Sequence, residues 1–99
     1  MPLKVRRRPL AREDALEIWR YIARDNPSAA DDVLSRFDEL ILMLARHPDA
    51  GRARPELGAG LRSFTDGRFL IVYSHDDKSL EVVRIVAGSR NLNPTFFSN

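Results

Sequence analysis

Ninety-nine residues leave room for one domain, residues 1–99, with a core of modest size. A content of 43% hydrophobic and 30% charged residues excludes the disordered, fibrous and membrane-spanning classes, and a net charge of +2 points to no partner by itself. The chain has no cysteine, so it offers no disulfide, no thiolate nucleophile and no cysteine-ligated metal, which suits the reducing cytoplasm.

The start, Met1 to Arg8, is basic but leads into no apolar stretch, so it does not read as a signal peptide. The longest apolar run, Leu40 to Ala45, is too short to span a bilayer, and no membrane partner is expected. Of the 16 cations, 14 are arginine. Base composition of the genome explains that as well as a surface built for carboxylates and phosphates does, and both readings stay open.

Leu3 to Arg8 alternates apolar and basic residues before Pro9 and reads as a short edge strand. From Leu10 to Asp25 the period becomes helical, with Ala11, Ala15, Ile18, Trp19 and Ile22 on one stripe. Asn26 and Pro27 then supply an N-cap and a first helical position. The second stripe is Ala30, Val33, Leu34, Phe37, Leu40, Ile41 and Leu44, ending at His47-Pro48. So short a junction requires the two helices to fold back as an antiparallel hairpin.

Residues 48–60 hold three glycines and two prolines and read as a loop. Beyond them the period becomes two. Leu61 to Thr65 is a strand, Asp66-Gly67 a hairpin turn and Arg68 to His75 the next strand. Asp76 to Ser79 turns again, and Leu80 to Ala87 is the last strand before Gly88. The expected architecture is α+β: an N-terminal strand, an antiparallel helix hairpin and a three-stranded antiparallel meander, with the helices on one face of the sheet.

Both faces of that sheet read as apolar. Phe69, Ile71 and Tyr73 point one way and Leu70 and Val72 the other, while Val83, Ile85 and Ala87 oppose Leu80, Val82 and Val86. One helix hairpin covers one face. The other is closed either by a partner or by the 48–60 loop and the aromatic tail.

The element order and a set of local phrases resemble the RelE/ParE superfamily of type II toxins, with the nearer likeness to ParE. The phrases are Ala11-Arg12-Glu13-Asp14-Ala15-Leu16-Glu17-Ile18-Trp19-Arg20-Tyr21-Ile22-Ala23, His47-Pro48-Asp49-Ala50-Gly51-Arg52, Arg54-Pro55-Glu56-Leu57 and Gly60-Leu61-Arg62-Ser63-Phe64. Gly67-Arg68-Phe69-Leu70-Ile71-Val72-Tyr73, Val83-Arg84-Ile85-Val86 and Gly88-Ser89-Arg90 complete the set. The resemblance implies a toxin that poisons DNA gyrase and forms a hetero-oligomer with a ParD-like antitoxin, touching DNA only indirectly through either protein. Its RelE branch implies the alternative of a ribosome-dependent mRNA endonuclease, and a non-toxic binding homologue is the third reading.

Metal-free RNA cleavage needs a general base, a general acid and cations for the phosphate. Cations are present in Arg62, Arg68, Arg84 and Arg90. Acid–base groups are poor: the nuclease branch commonly carries a histidine or tyrosine near the end of the last strand, where this chain has Gly88-Ser89-Arg90-Asn91. His75 reads as a solvated strand-end residue, His47 as a complement to a helix dipole, Tyr73 as core and Glu56 as a loop carboxylate. Two isolated histidines give no ligand spacing, Gly58-Ala59-Gly60 precedes a strand rather than a helix, and no serine sits in a nucleophile elbow. No catalytic residue, metal or cofactor is therefore assigned.

The expected target-binding set is Arg62, Arg68, Arg84, Arg90, Phe96 and Phe97, and the expected antitoxin-binding set is Leu70, Val72, Tyr73, Leu80 and Val82. Arg62 and Arg84 either converge on one face as a patch or stand as separate exposed positions paired with Glu81 or Asp66. Phe96 and Phe97 either anchor a target or dock on the core.

Overall fold

Pro9 opens the first helix because its fixed φ suits the first turn and its missing N–H costs nothing there. In the computed structural model, which describes residues 2–88, α1 runs Pro9–Ala23 and α2 runs Pro27–Arg46. Asn26 caps α2 as expected, its side-chain oxygen accepting from the Ala29 N–H at 3.1 Å. Trp19 on α1 donates its indole N–H to Asp31 at 2.8 Å and clips the hairpin near its turn. The α2 stripe forms the centre of the core: Phe37, Leu40, Ile41 and Leu44 are all buried. No helix among the described residues is long and apolar enough to cross a membrane.

The strands are β1 (Lys4–Arg7), β2 (Arg52–Ala53), β3 (Arg62–Asp66), β4 (Phe69–His75) and β5 (Ser79–Ala87), in the sheet order β1-β5-β4-β3-β2. The meander is antiparallel, and β1 lies at one edge, parallel to β5. Two details differ from the expectation. A two-residue strand, β2, lies inside the segment read as loop and pairs Arg52 with Ser63 and Ala53 with Arg62; it is too brief to show a period. The β3–β4 turn is Gly67-Arg68 rather than Asp66-Gly67, because Asp66 still pairs with Phe69. Gly67 takes the left-handed φ of 58° that this turn needs, and Arg36 of α2 holds Asp66 through two bonds of 3.0 and 3.1 Å.

A β-bulge reassigns the faces of β5. Tyr73 pairs with Val82 and Val72 with Arg84, leaving Val83 as an extra residue. Uninterrupted alternation would have put Arg84 beneath the helices. With the bulge, Leu80, Val82 and Ile85 all join the core that contains Phe37, Ile41, Ile71 and Tyr73, while Val83 joins Val72 on the far face. The expected grouping of Val83 with Ile85, opposite Leu80 and Val82, is therefore corrected.

The strand β1 covers only Ser79–Val82 of β5, the last contact being the Arg8 N–H to the Val82 carbonyl at 3.0 Å. Beyond it α1 takes over that edge. The Asp14 carboxylate accepts the Ile85 N–H at 3.0 Å and the Arg84 guanidinium through Nε at 2.7 Å and Nη2 at 2.8 Å. Both side chains are nearly closed to solvent, at 16% and 13% exposure for Arg84 and Asp14. Paired with Asp14, the Arg84 guanidinium holds its proton more tightly than a free arginine.

Asp14→Ala strands a mostly buried guanidinium and an edge N–H together, so it should destabilise the fold by about 2–4 kcal/mol in urea unfolding. Asp14→Asn, which keeps an acceptor for Ile85, should lose less. A loss under about 1 kcal/mol for the alanine variant would show that the carboxylate does not anchor α1.

Candidate functional site

The strand arginines do not form one patch. Arg62 lies across from Tyr73 and Arg84 across from Val72, whose side chains occupy opposite faces of β4, so the two arginines leave the sheet on opposite sides. Nor is either one paired with Glu81 or Asp66 as expected. Arg84 is held by Asp14, as described, and Arg62 donates to the carbonyls of Gly51 and Asp49 at 3.1 and 3.3 Å. Glu81 and Asp66 are instead paired with Arg8 and Arg36. Three members of the target-binding set, Arg90, Phe96 and Phe97, lie outside the described residues.

The polar groups at the same end of the sheet form a brace. The Tyr73 hydroxyl donates to the Pro48 carbonyl at 2.7 Å and accepts from the Gly51 N–H at 2.9 Å, and burial pushes the phenol up from its usual pKa. His75 stands 3.5 Å from Asp49 through Nε2 and is half-buried rather than freely solvated. Arg54 reaches Glu56 at 2.7 Å and Ser63 at 3.0 Å, and its hydrogen bond holds the Glu56 carboxyl below its usual pKa, which makes it a weaker base. Together these contacts tie residues 48–63 to the sheet. Among the described residues no cluster of His, Asp and Glu is placed to hold a metal ion.

The expected antitoxin-binding set is not a surface in this structure. Tyr73, Leu80 and Val82 are fully buried under the helix hairpin. Val72 is fully buried on the far face, where Leu57 from the loop closes over it and Val83, with Leu61 and half-buried Leu70 packed alongside. The loop therefore closes the far face where these residues lie.

The open surface lies elsewhere. A groove of about 640 Å³ runs between the C-terminal half of α1 and the tip of the β3–β4 hairpin. Ile18, Ile22, Phe69 and Ala87 give it an apolar lining, and Tyr21, 70% exposed, stands beside them. Arg20, Arg24 and Arg68 line it as well, against a single carboxylate, Glu17. Among the described residues none of these three arginines makes a side-chain hydrogen bond or ion pair; Arg68 stands 5.8 Å from the centroid of the Phe69 ring. Gly88, where β5 has ended, also lines the groove.

Of the sequence-derived target set, Arg68 is the member that lines this groove. Sequence reasoning assigned Ile18 and Ile22 to the core stripe and gave Tyr21, Arg20 and Arg24 no place in a binding site. The available signal was Tyr21 itself, a large aromatic next to the stripe with arginines at Arg20 and Arg24.

Comparison with known proteins agrees with this architecture. Residues 5–92 match the family model described as the ParE toxin of the type II toxin–antitoxin system, parDE. Toxin ParE3 of Caulobacter vibrioides is 28% identical over 89 residues, spanning 89% of this chain and 88% of the relative. Among solved structures, a chain of the chromosomal ParDE toxin–antitoxin system from P. aeruginosa superimposes with a TM-score of 0.73 at 20% identity, covering 88% of this chain and 97% of the other. A chain of the RelBE2 toxin–antitoxin complex from Mycobacterium tuberculosis gives a TM-score of 0.64 at 25% identity, covering 88% and 99%.

Tyr73→Phe removes both bonds of the brace and leaves the Gly51 N–H buried without a partner, which should cost about 1–3 kcal/mol in thermal or urea unfolding. Gly51→Ala should cost at least as much, since the new methyl would stand 2.5 Å from the Tyr73 hydroxyl and 2.8 Å from the Ser63 carbonyl. If the phenylalanine variant were as stable as the parent, the hydroxyl would be free for another role.

Proposed function

The chain belongs to the ParE toxin family of type II toxin–antitoxin systems, and from that premise we propose that it arrests growth by poisoning DNA gyrase and is neutralised by a ParD-like antitoxin. On this reading the protein acts by gripping, without bond-breaking chemistry of its own. The observation that carries it is the groove: an apolar lining with three arginines that have no ionic partner among the described residues, open at the surface. Such a composition suits a macromolecular partner, since exposed apolar area gains by being covered and free guanidinium groups gain when a carboxylate or phosphate meets them.

The groups a ribonuclease would use support the same reading from the other side. Phosphate cations must be free to meet the scissile group, and a general base must reach a proton. Arg62 is committed to backbone carbonyls and Arg84 to Asp14. The Tyr73 hydroxyl is held by two backbone partners inside the core, and Glu56 is held ionised by Arg54.

The test is purified full-length protein with gyrase and supercoiled plasmid, scored for linear DNA covalently linked to protein. Linear product that disappears when the antitoxin is added is the expected result. Growth arrest on induction without any linear product at toxin excess would overturn the gyrase assignment. Cut transcripts on ribosomes would then establish the RelE-like alternative, and absence of growth arrest would leave the non-toxic homologue.

A further inference from the structure

The arginines of the groove do not identify its occupant, because Arg6, Arg12, Arg46 and Arg52 elsewhere also make no ion pair among the described residues. What sets the groove apart is that the chain itself leaves through it. Gly88, the last described residue, lines the groove, and its N–H donates to the Arg68 carbonyl at 2.8 Å, which ties the exit to the hairpin wall. Its left-handed φ of 75° turns the chain off the line of β5. Eleven residues follow, 89–99, and they hold Leu92, Phe96 and Phe97 but no aspartate or glutamate.

We propose that residues 89–99 fold back over the groove and seat Leu92, Phe96 and Phe97 on Ile18, Ile22 and Phe69. The far face of the sheet, the alternative seat expected for an aromatic tail, is already closed by Leu57 over Val72 and Val83. Reach is ample: the chain from Gly88 to Phe96 extends to about 26 Å, whereas α1 from Glu17 to Arg24 is about 10 Å long. Asn93-Pro94 is a turn signal between Leu92 and the two phenylalanines, so all three can meet the same lining. Tethering holds the segment at an effective concentration on the order of millimolar, so a modest apolar contact suffices. The segment brings no carboxylate side chain to Arg20, Arg24 and Arg68, and Arg90 adds a cation, so the contact is held by apolar burial rather than by charge. Phe96 and Phe97 lie past residue 92, where the match to the family model ends, so this cover is a feature of this chain beyond what the family match supplies. A macromolecule that grips the chain through the groove first displaces these residues, and its apparent affinity falls in proportion to the fraction of chains with the groove open.

The chain has no cysteine, so a pair introduced by substitution reports on this contact alone. In the full-length chain carrying Arg20→Cys with Phe97→Cys, the intramolecular disulfide should form in a glutathione buffer. Adding Leu92→Ser with Phe96→Ser should lower its effective concentration about tenfold. The serines leave the tether length unchanged, so proximity alone predicts no fall. In a second chain, Asp77→Cys with Phe97→Cys, the partner cysteine sits at an exposed turn at the end of β5 opposite Gly88. There the same serines should leave the disulfide unchanged or raise it. The groove disulfide should keep its sensitivity to the serines in about 1 M salt, where charges are screened beyond about 3 Å.

An effective concentration that the serines do not change would overturn the proposal, as would an equal fall in both chains. Loss of the effect in high salt would overturn the apolar contact. Intermolecular disulfides that rise with protein concentration would place a second copy in the groove and overturn the proposal as well. None of these outcomes touches the gyrase reading, which stands or falls on linear DNA.

Discussion

The contact on which the arrangement depends is the Asp14 carboxylate, which closes the β5 edge where β1 stops. One acidic side chain on α1 satisfies a backbone N–H that no strand receives and neutralises a guanidinium brought to the edge by a bulge. Leaving either group unsatisfied would be expensive, because Arg84 and Asp14 are almost shut off from water. The contact therefore fixes how α1 lies against β5. That placement in turn leaves the C-terminal half of α1 standing beside the hairpin tip with a groove between them.

The bulge and the carboxylate solve one problem together. A nine-residue strand with valine or isoleucine at four positions and leucine at a fifth must divide them between two faces, and strict alternation would have driven Arg84 into the core. Shifting the phase by one residue brings Leu80, Val82 and Ile85 to the same side and moves the arginine to where Asp14 meets it. The far face is then small enough for Leu57, carried by the braced loop, to close over Val72 and Val83. Much of the surplus apolar area in the sequence is thus covered inside the chain, while Leu16 and Leu42 stay exposed on the helices and the groove, whose lining comes from α1, β4 and β5 together, stays open.

The same reasoning separates the two kinds of arginine. Six are fastened to carboxylates, and several of these hold elements together, such as Arg36 of α2 at the hairpin residue Asp66. Those around the groove, like Arg6, Arg12, Arg46 and Arg52 elsewhere, are fastened to nothing among the described residues. An arginine-rich composition gives no way to tell them apart, because the distinction depends on which acid lies within reach across the fold.

Much of the fold was legible in the chain. The two stripes, Asn26-Pro27 as a helix start, the Gly67 turn and the period change after Gly60 all rest on contacts between residues near in sequence, where spacing alone determines geometry. The site was far less legible. Tyr73, Leu80 and Val82 looked like a docking face because alternation cannot reveal a bulge or say which face the helices take, and Val72 because nothing local shows that Leu57 will cover it. What the sequence determined by itself is the set of elements and their order, since helical and strand periods are local. What only the tertiary structure decided is which apolar residues are enclosed and which arginines stay free, because burial and ion pairing depend on partners far along the chain, seventy residues apart for Asp14 and Arg84.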